Sequence, residues 1–80
     1  YPNPFNPSSV IRYGVPSASR VQLEVYDMLG RKVMTLINNE MKQPGRYNVT
    51  FQARDLASGV YIYRLVIDSK VLTKKMTLIK

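Results

Sequence analysis

Short runs of alternating polarity follow one another along the chain. The clearest run, residues 46–53, places tyrosine, valine, phenylalanine and alanine on one face and polar side chains on the other. Because successive side chains of a strand point to opposite faces of a sheet, this alternation is typical of a half-buried strand. The same reasoning predicts strands at residues 10–15, 20–27 and 46–53. Residues 32–38 and 71–80 are less regular but still strand-like, and residues 59–68 form a sixth, more apolar run.

Turn-forming residues separate the runs. The predicted connections are hairpin loops at residues 27–31 and 68–70, a longer loop at residues 38–45 and a tight turn at residues 55–59. Gly30 is available for a positive φ in the first of them. A helical turn fits only around residues 55–58. All five prolines lie outside the predicted strand interiors, which the missing N–H of proline requires.

The predicted strands indicate an all-β domain. Residues 59–68 are apolar on both faces apart from Arg64, which is typical of a central strand. About six strands joined by short turns predict an antiparallel sandwich or a small barrel. Eighty residues, 45% of them hydrophobic, suit one small domain with a core of its own.

The chain begins with the proline-rich segment YPNPFNPSS, residues 1–9. Each proline restrains its neighbour to an extended conformation, so this segment cannot be a central strand. We expect Phe5, together with Tyr1, to cap the open end of the core. The predicted organisation is therefore a single domain, with residues 1–9 leading into a sandwich of residues 10–80.

The composition argues against an enzyme. The chain has no cysteine, no histidine and only five carboxylates, which excludes disulfides, thiolate or imidazole metal sites and histidine-based catalysis. Glu24 and Asp27 are close in sequence, but a solvated strand end explains them better than an acid–base pair. No spaced set of oxygen ligands predicts a metal site, and we expect no cofactor.

The charge is basic and uneven. The net charge is +7, with residues 1–40 contributing +1 and residues 41–80 contributing +6. Such a surface suits either a polyanion or simple solvation. Nucleic-acid binding would need exposed aromatic side chains for stacking, but Tyr47 and Phe51 are predicted to be core, and only Tyr26 is predicted to be exposed. We therefore expect no nucleic-acid partner.

The last predicted strand carries more information. Residues 70–80 contain four lysines and no acid, with apolar residues between them. Lysines on an edge strand protect it from unwanted pairing. The same strand could dock on another protein's sheet, with the lysines selecting an acidic partner. These two interpretations are compatible.

Two features concern export. No apolar run approaches the length of a transmembrane helix, and residues 1–9 do not have the basic-then-apolar pattern of a signal peptide. We expect any export signal to lie upstream.

Asn48-Val49-Thr50 matches the glycosylation acceptor pattern, but Asn48 falls inside a predicted strand.

Five segments, in order, resemble one family. They are YPNPFNPSSVIRY, VQLEVYDMLGRKV, PGRYNVTF, LASGVYIYRL and KKMTLIK, and they run from the first residue to the last. Together they resemble the type A C-terminal sorting domain of type IX secretion cargo, found in Bacteroidetes and related bacteria. They also resemble the Ig-like domain of flagellar hook-capping proteins.

The resemblance implies an Ig-like antiparallel β-sandwich of six to seven strands at the end of a larger secreted protein. It implies recognition by the type IX secretion machinery, passage through the periplasm, and delivery to the cell surface or the extracellular space. A surface sortase commonly removes such domains and joins the cargo to anionic lipopolysaccharide. By position, the residues implied in recognition are Gly59, Tyr61, Arg64, Lys74, Lys75, Met76 and Lys80.

Several of these residues also suit purely structural roles. Gly59 suits a turn, Tyr61 and Tyr63 suit a core with hydroxyl groups at its rim, and Arg64 can lay its stem over the sheet. A second interpretation of the whole domain is an interaction module that is retained in the mature protein. Such a module could form a homo-oligomer through its edge strands.

Overall fold

The computed structural model describes residues 8–52 and 56–79. It contains the strands β1 (Ser8–Val15), β2 (Ser19–Asp27), β3 (Lys32–Lys42), β4 (Gly45–Gln52), β5 (Gly59–Ile67) and β6 (Lys70–Leu78). All strand pairs are antiparallel, and they form a two-stranded sheet β1–β4 and a four-stranded sheet β3–β2–β5–β6. The described residues contain no helix. The predicted all-β sandwich is confirmed.

The core lies between the two sheets and follows the alternation seen in the sequence. Phe51 is the largest fully buried side chain, and it packs with Val25, Tyr61 and Leu78 from the facing sheet. At the other end, the buried core consists of Ile11, Tyr13, Val15, Val21, Leu23, Ile37 and Leu65. Every second residue of β1, β2 and β4 enters this layer because side chains alternate between the faces of a strand, whereas the core residues of β3 are irregularly spaced.

The predicted placement of the last two strands is confirmed. β5 lies between β2 and β6, and none of its residues is exposed, in keeping with its apolar residues on both faces. β6 lies at the edge of the sheet and is reached by a two-residue turn in which Asp68 has a φ of 53°. The Asp68 N–H donates to the carbonyl oxygen of Arg20 at 3.1 Å, so this turn is held against the start of β2.

The longer loop predicted for residues 38–45 is wrong. β3 continues to Lys42, and the connection to β4 is only two residues long. Three register shifts interrupt the pairing of β3 with β2, and each places an extra residue in β3. Asn39, at one shift, has a φ of 52°. These bulges displace the alternating pattern, so the second half of the strand resembles a loop in the sequence.

Several other boundaries differ slightly. β1 begins at Ser8, inside the segment assigned to the proline-rich lead, and its first residue pairs with Gln52. The helical turn expected around residues 55–58 is wrong as far as it is described, because residues 56 and 58 are bends and residue 57 has no regular structure. The caps expected from Tyr1 and Phe5 lie outside the described residues.

Candidate recognition surface

The surface that the sequence favours for recognition centres on β6. Among residues 8–52 and 56–79, no strand pairs with the outer edge of β6. Lys70, Lys74 and Lys75 are exposed, whereas Met76 is half-buried and Leu78 is only 3% exposed. One end of the strand is thus anchored in the core, and the rest presents cations and unpaired backbone groups to solvent.

The register shows which predicted residues lie together. Gly59 pairs with Leu78 and Tyr61 with Met76, so three of the predicted residues meet at one end of the β5–β6 ladder. Lys74 and Lys75 lie opposite Tyr63 and Ile62, respectively. Arg64 lies further along, opposite Thr73. Lys80 lies outside the described residues.

Strand parity divides this set between two faces. Tyr61, Lys74 and Met76 are on the side of the sheet that faces β1 and β4, whereas Arg64 and Lys75 are on the opposite side. The residues therefore do not form one compact patch. The free edge of β6 is the feature that both groups share.

Three members of the set have structural roles. Tyr61 is buried, and its hydroxyl group donates a hydrogen bond to the carbonyl oxygen of Ala57 at 2.7 Å, as expected of a core aromatic with its hydroxyl at the rim. Gly59 has a φ of 157°, which side chains with a Cβ rarely adopt. Met76 packs against the core cluster around Phe51. Arg64, Lys74 and Lys75 remain as the more accessible members.

Arg64 lies beside the hydrogen-bonded carboxylate of Glu24 on the outer face of the four-stranded sheet. Glu24 accepts hydrogen bonds from the Tyr26 hydroxyl group at 2.9 Å, the Gln22 amide at 3.2 Å and the Lys32 ammonium at 3.2 Å. The guanidinium of Arg64 lies 3.9 Å from the same carboxylate. Sequence reasoning missed this cluster, although the sequence contains a signal for it. Gln22 and Tyr26, two residues before and two residues after Glu24 in the same strand, can both donate hydrogen bonds to it.

The surroundings of Glu24 set its ionisation. The hydrogen bond from Tyr26, with smaller contributions from Lys32 and Gln22, lowers the pKa of Glu24 despite the opposing effect of burial. The expectation of a solvated strand end is wrong for Glu24, which is only 8% exposed. The expected exposure of Tyr26 is also wrong, because this side chain is half-buried and bound to Glu24.

The β2–β3 turn is built around Asp27. Its carboxylate accepts hydrogen bonds from the backbone N–H groups of Leu29 and Arg31, and its other oxygen lies 2.7 Å from the Arg31 guanidinium. These contacts, first among them the backbone N–H of Arg31, lower the pKa of Asp27. The turn presents Met28 and Leu29 to solvent, with 59% and 79% exposure. Their exposure was not predicted.

Two further observations concern metal binding and helices that could span a membrane. Within the part of the chain that the structure describes, no three acidic residues cluster in a way that could hold a metal ion. The same residues contain no helix with the length and apolarity needed to cross a bilayer.

Comparison with known proteins gives a match over the whole chain. The family model described as "Secretion system C-terminal sorting domain" matches residues 1–80. No curated protein and no solved structure gives a significant match. The likeness to hook-capping proteins stays a prediction.

Proposed function

Since the chain belongs to the family of type IX secretion system C-terminal sorting domains, we propose that it directs a larger cargo protein across the outer membrane through recognition of β6. Domains of this family are sorting signals and interact with the secretion machinery. They pass through the periplasm to the cell surface or the extracellular space. The family is one of signals rather than enzymes, and we propose no catalytic activity for this chain.

The free edge of β6 is the observation that carries the proposal. An unpaired edge can receive a strand from another protein, in which case backbone hydrogen bonds provide affinity and neighbouring side chains provide selectivity. Lys74 and Lys75 lie beside that edge on opposite faces, so they select an acidic partner from both sides. Arg64 adds positive charge on the outer face, where Glu24 partly neutralises it.

Later steps belong to the same proposal. After translocation, a surface sortase separates the domain from its cargo, and the cargo is joined to anionic lipopolysaccharide. The resemblance to type A sorting domains supports these two steps. Gly59, Tyr61 and Met76 serve recognition by keeping β5 and β6 in register, and Lys80 extends the basic end of the chain.

The test uses charge reversal rather than truncation. Deleting the end of β6 would remove Leu78 and Met76 from the core, so a loss of delivery would not distinguish recognition from unfolding. We therefore compare Lys74→Glu and Lys75→Glu in residues 1–80 fused to a periplasmic reporter in a host with a type IX system. Each variant is expected to lower surface delivery about tenfold, the effect of losing roughly 1.4 kcal/mol of binding.

Arg46→Glu is the matched control, because Arg46 is an exposed cation on β4 in the other sheet. It should leave surface delivery within about twofold of the unaltered fusion, a change of less than roughly 0.5 kcal/mol. Circular dichroism of each purified domain checks folding. Normal delivery of both lysine variants would rule out β6 as the docking strand.

The retained interaction module remains a second candidate, because β6 has a free edge for pairing between proteins. Mass spectrometry of the mature surface protein separates the two functions. Peptides from residues 1–80 on the surface protein would favour the module, whereas their absence would favour a cleaved sorting signal.

A further inference from the structure

A groove opens between β1 and the β5–β6 hairpin. It has a volume of about 590 Å³, in the range of pockets that bind ligands. Leu65, Ile67 and Leu72 contribute apolar side chains to it, whereas Arg12 and Lys70 contribute cations. The sequence did not predict this groove, because its lining comes from strands that are distant along the chain.

Two gaps in the sandwich meet at the groove. The first is the edge of β1 that faces away from β4, which has no partner strand among residues 8–52 and 56–79. The second is the inner face of β6. Leu78 on that face is buried under Phe51, but Leu72, six residues earlier on the same face, is 46% exposed.

Both gaps have the same cause. A two-stranded sheet is too narrow to cover a four-stranded one, since adjacent strands lie only about 4.8 Å apart. One extended strand beside β1 would satisfy the free backbone groups of β1 and cover Leu72 at the same time. Neither a small molecule nor a helix would do both, because only an extended backbone continues a ladder of β-sheet hydrogen bonds.

We infer that this groove receives an extended segment of the secretion machinery with alternating apolar and acidic residues, which pairs with β1 as a seventh strand. The inference rests on the proposed function for the identity of the partner. Arg12 is exposed on the outer face of β1, so it favours carboxylates at the outward-facing positions of the incoming strand, and Lys70 adds positive charge at the end of the groove. A second copy of this chain is a poorer occupant, because each copy carries a net charge of +7.

The end of the groove is fixed before the partner arrives. The hydroxyl oxygen of Ser19 lies 2.9 Å from a carboxylate oxygen of Asp68 and 2.6 Å from the carbonyl oxygen of Ser17. Ser17, Ser19 and Asp68 all line the groove. Because these contacts already order this end of the groove, little conformational entropy is lost there when a strand binds.

The first experiment measures peptide binding to the purified full chain. The probe is an eight-residue peptide, the length of β1, that alternates valine with glutamate, and its partner peptide carries lysine in place of glutamate. We expect the glutamate peptide to bind and to protect β1 amides from hydrogen exchange. Arg12→Glu and Leu72→Glu should each weaken binding about tenfold or more, whereas Arg46→Glu, which lies outside the groove, should change it by less than about twofold.

Equal binding of the two peptides, or equal weakening by the Arg46 control, would contradict the inference. Leu72 is half exposed, so its replacement should leave the fold intact, and the circular dichroism spectrum checks this. Protection confined to β6 amides would place the peptide on the wrong edge and would also contradict the inference.

The second experiment identifies the partner in cells. A photo-crosslinking amino acid at position 72 of the reporter fusion should give an adduct with a component of the secretion machinery, and Arg12→Glu should reduce that adduct. An adduct between two copies of the fusion would instead show a dimer and overturn the inference. Normal surface delivery of Leu72→Glu would reject the groove while leaving the β6 proposal intact. Failure of the unaltered fusion to reach the surface would reject the proposed function itself.

Discussion

At the scale of single residues, Glu24 shows how one carboxylate organises a sheet face. Three donors converge on it, and two of them, Gln22 and Tyr26, belong to its own strand. A charged acceptor with this many partners typically contributes more to stability than a neutral one. Its role is therefore to align β2, β3 and β5 through Tyr26, Lys32 and Arg64.

The first prediction concerns the pH dependence of this cluster. Because the folded-state pKa of Glu24 lies below its usual value of 4.5, its stabilising effect is fully present above that value and is lost as pH falls through the folded-state pKa. Replacing Glu24→Gln should cost about 1–2 kcal/mol at neutral pH and progressively less in acid. Urea denaturation from neutral to strongly acidic pH measures this difference.

Glu40→Gln provides the comparison, since Glu40 is an exposed carboxylate on β3. Its replacement should change the free energy of unfolding by no more than about 0.5 kcal/mol, as is usual for surface sites. A Glu24→Gln cost that stays constant at every pH would show that shape, rather than charge, accounts for the effect.

Among the predicted site residues, the sequence was most informative about Tyr61. Its position in an apolar run predicted a buried ring with a hydroxyl at the rim, and the structure places both there. Sequence alone did not reveal that Arg64 lies beside Glu24. Those residues are 40 positions apart, and only the pairing of β2 with β5 brings them opposite each other.

At the scale of elements, the two edge strands of the four-stranded sheet, β3 and β6, are protected from unwanted pairing in different ways. Three bulges distort β3, and lysines line β6. A bulged strand is a poor template for pairing because its backbone groups no longer form a regular row. β6 carries no register shift in its pairing with β5, so it keeps the regular edge that the proposed docking requires.

The second prediction concerns the β2–β3 turn. Gly30 has a φ of 83°, in the left-handed region that disfavours residues with a Cβ. Gly30→Ala should therefore lower the free energy of unfolding by about 1–2 kcal/mol. Thermal or urea denaturation of the purified domain measures this loss.

Gly14→Ala is the matched control. Gly14 lies in β1 without a positive φ, and a Cβ there would meet nothing within 4 Å. Because glycine weakens a strand interior, alanine at this position should be neutral or stabilising by up to about 1 kcal/mol. Equal losses at both glycines would contradict the assignment of the Gly30 effect to its positive φ.

At the scale of the whole molecule, charge is the dominant property. The net charge is +7, and most of it lies in the second half of the chain, which contains β4, β5 and β6. Such an imbalance attracts acidic partners and also causes repulsion within the folded domain. The basic surface that we propose for recognition is therefore expected to lower the stability of the fold.

The third prediction follows from this repulsion. Added salt shortens the distance over which charges interact, so it should relieve the repulsion and raise the melting temperature by a few degrees. The same salt should weaken binding of the glutamate peptide in the groove. Calorimetry and peptide titration over one series of salt concentrations measure both effects. A melting temperature that falls with salt would mean that the ion pairs around Glu24 and Asp27 outweigh the repulsion.

The sequence by itself determined the class of fold, the strands and most of their connections, because alternation and turn chemistry are local properties. It also determined the family, through five ordered segments across the whole chain. The sequence did not predict the full length of β3, because its bulges form only where the strand pairs with β2. Only the tertiary structure decided which face of each strand is covered, and by what. Two strands cannot cover four, and this mismatch leaves Leu72 partly exposed beside an edge of β1 that has no partner strand in the described part of the chain.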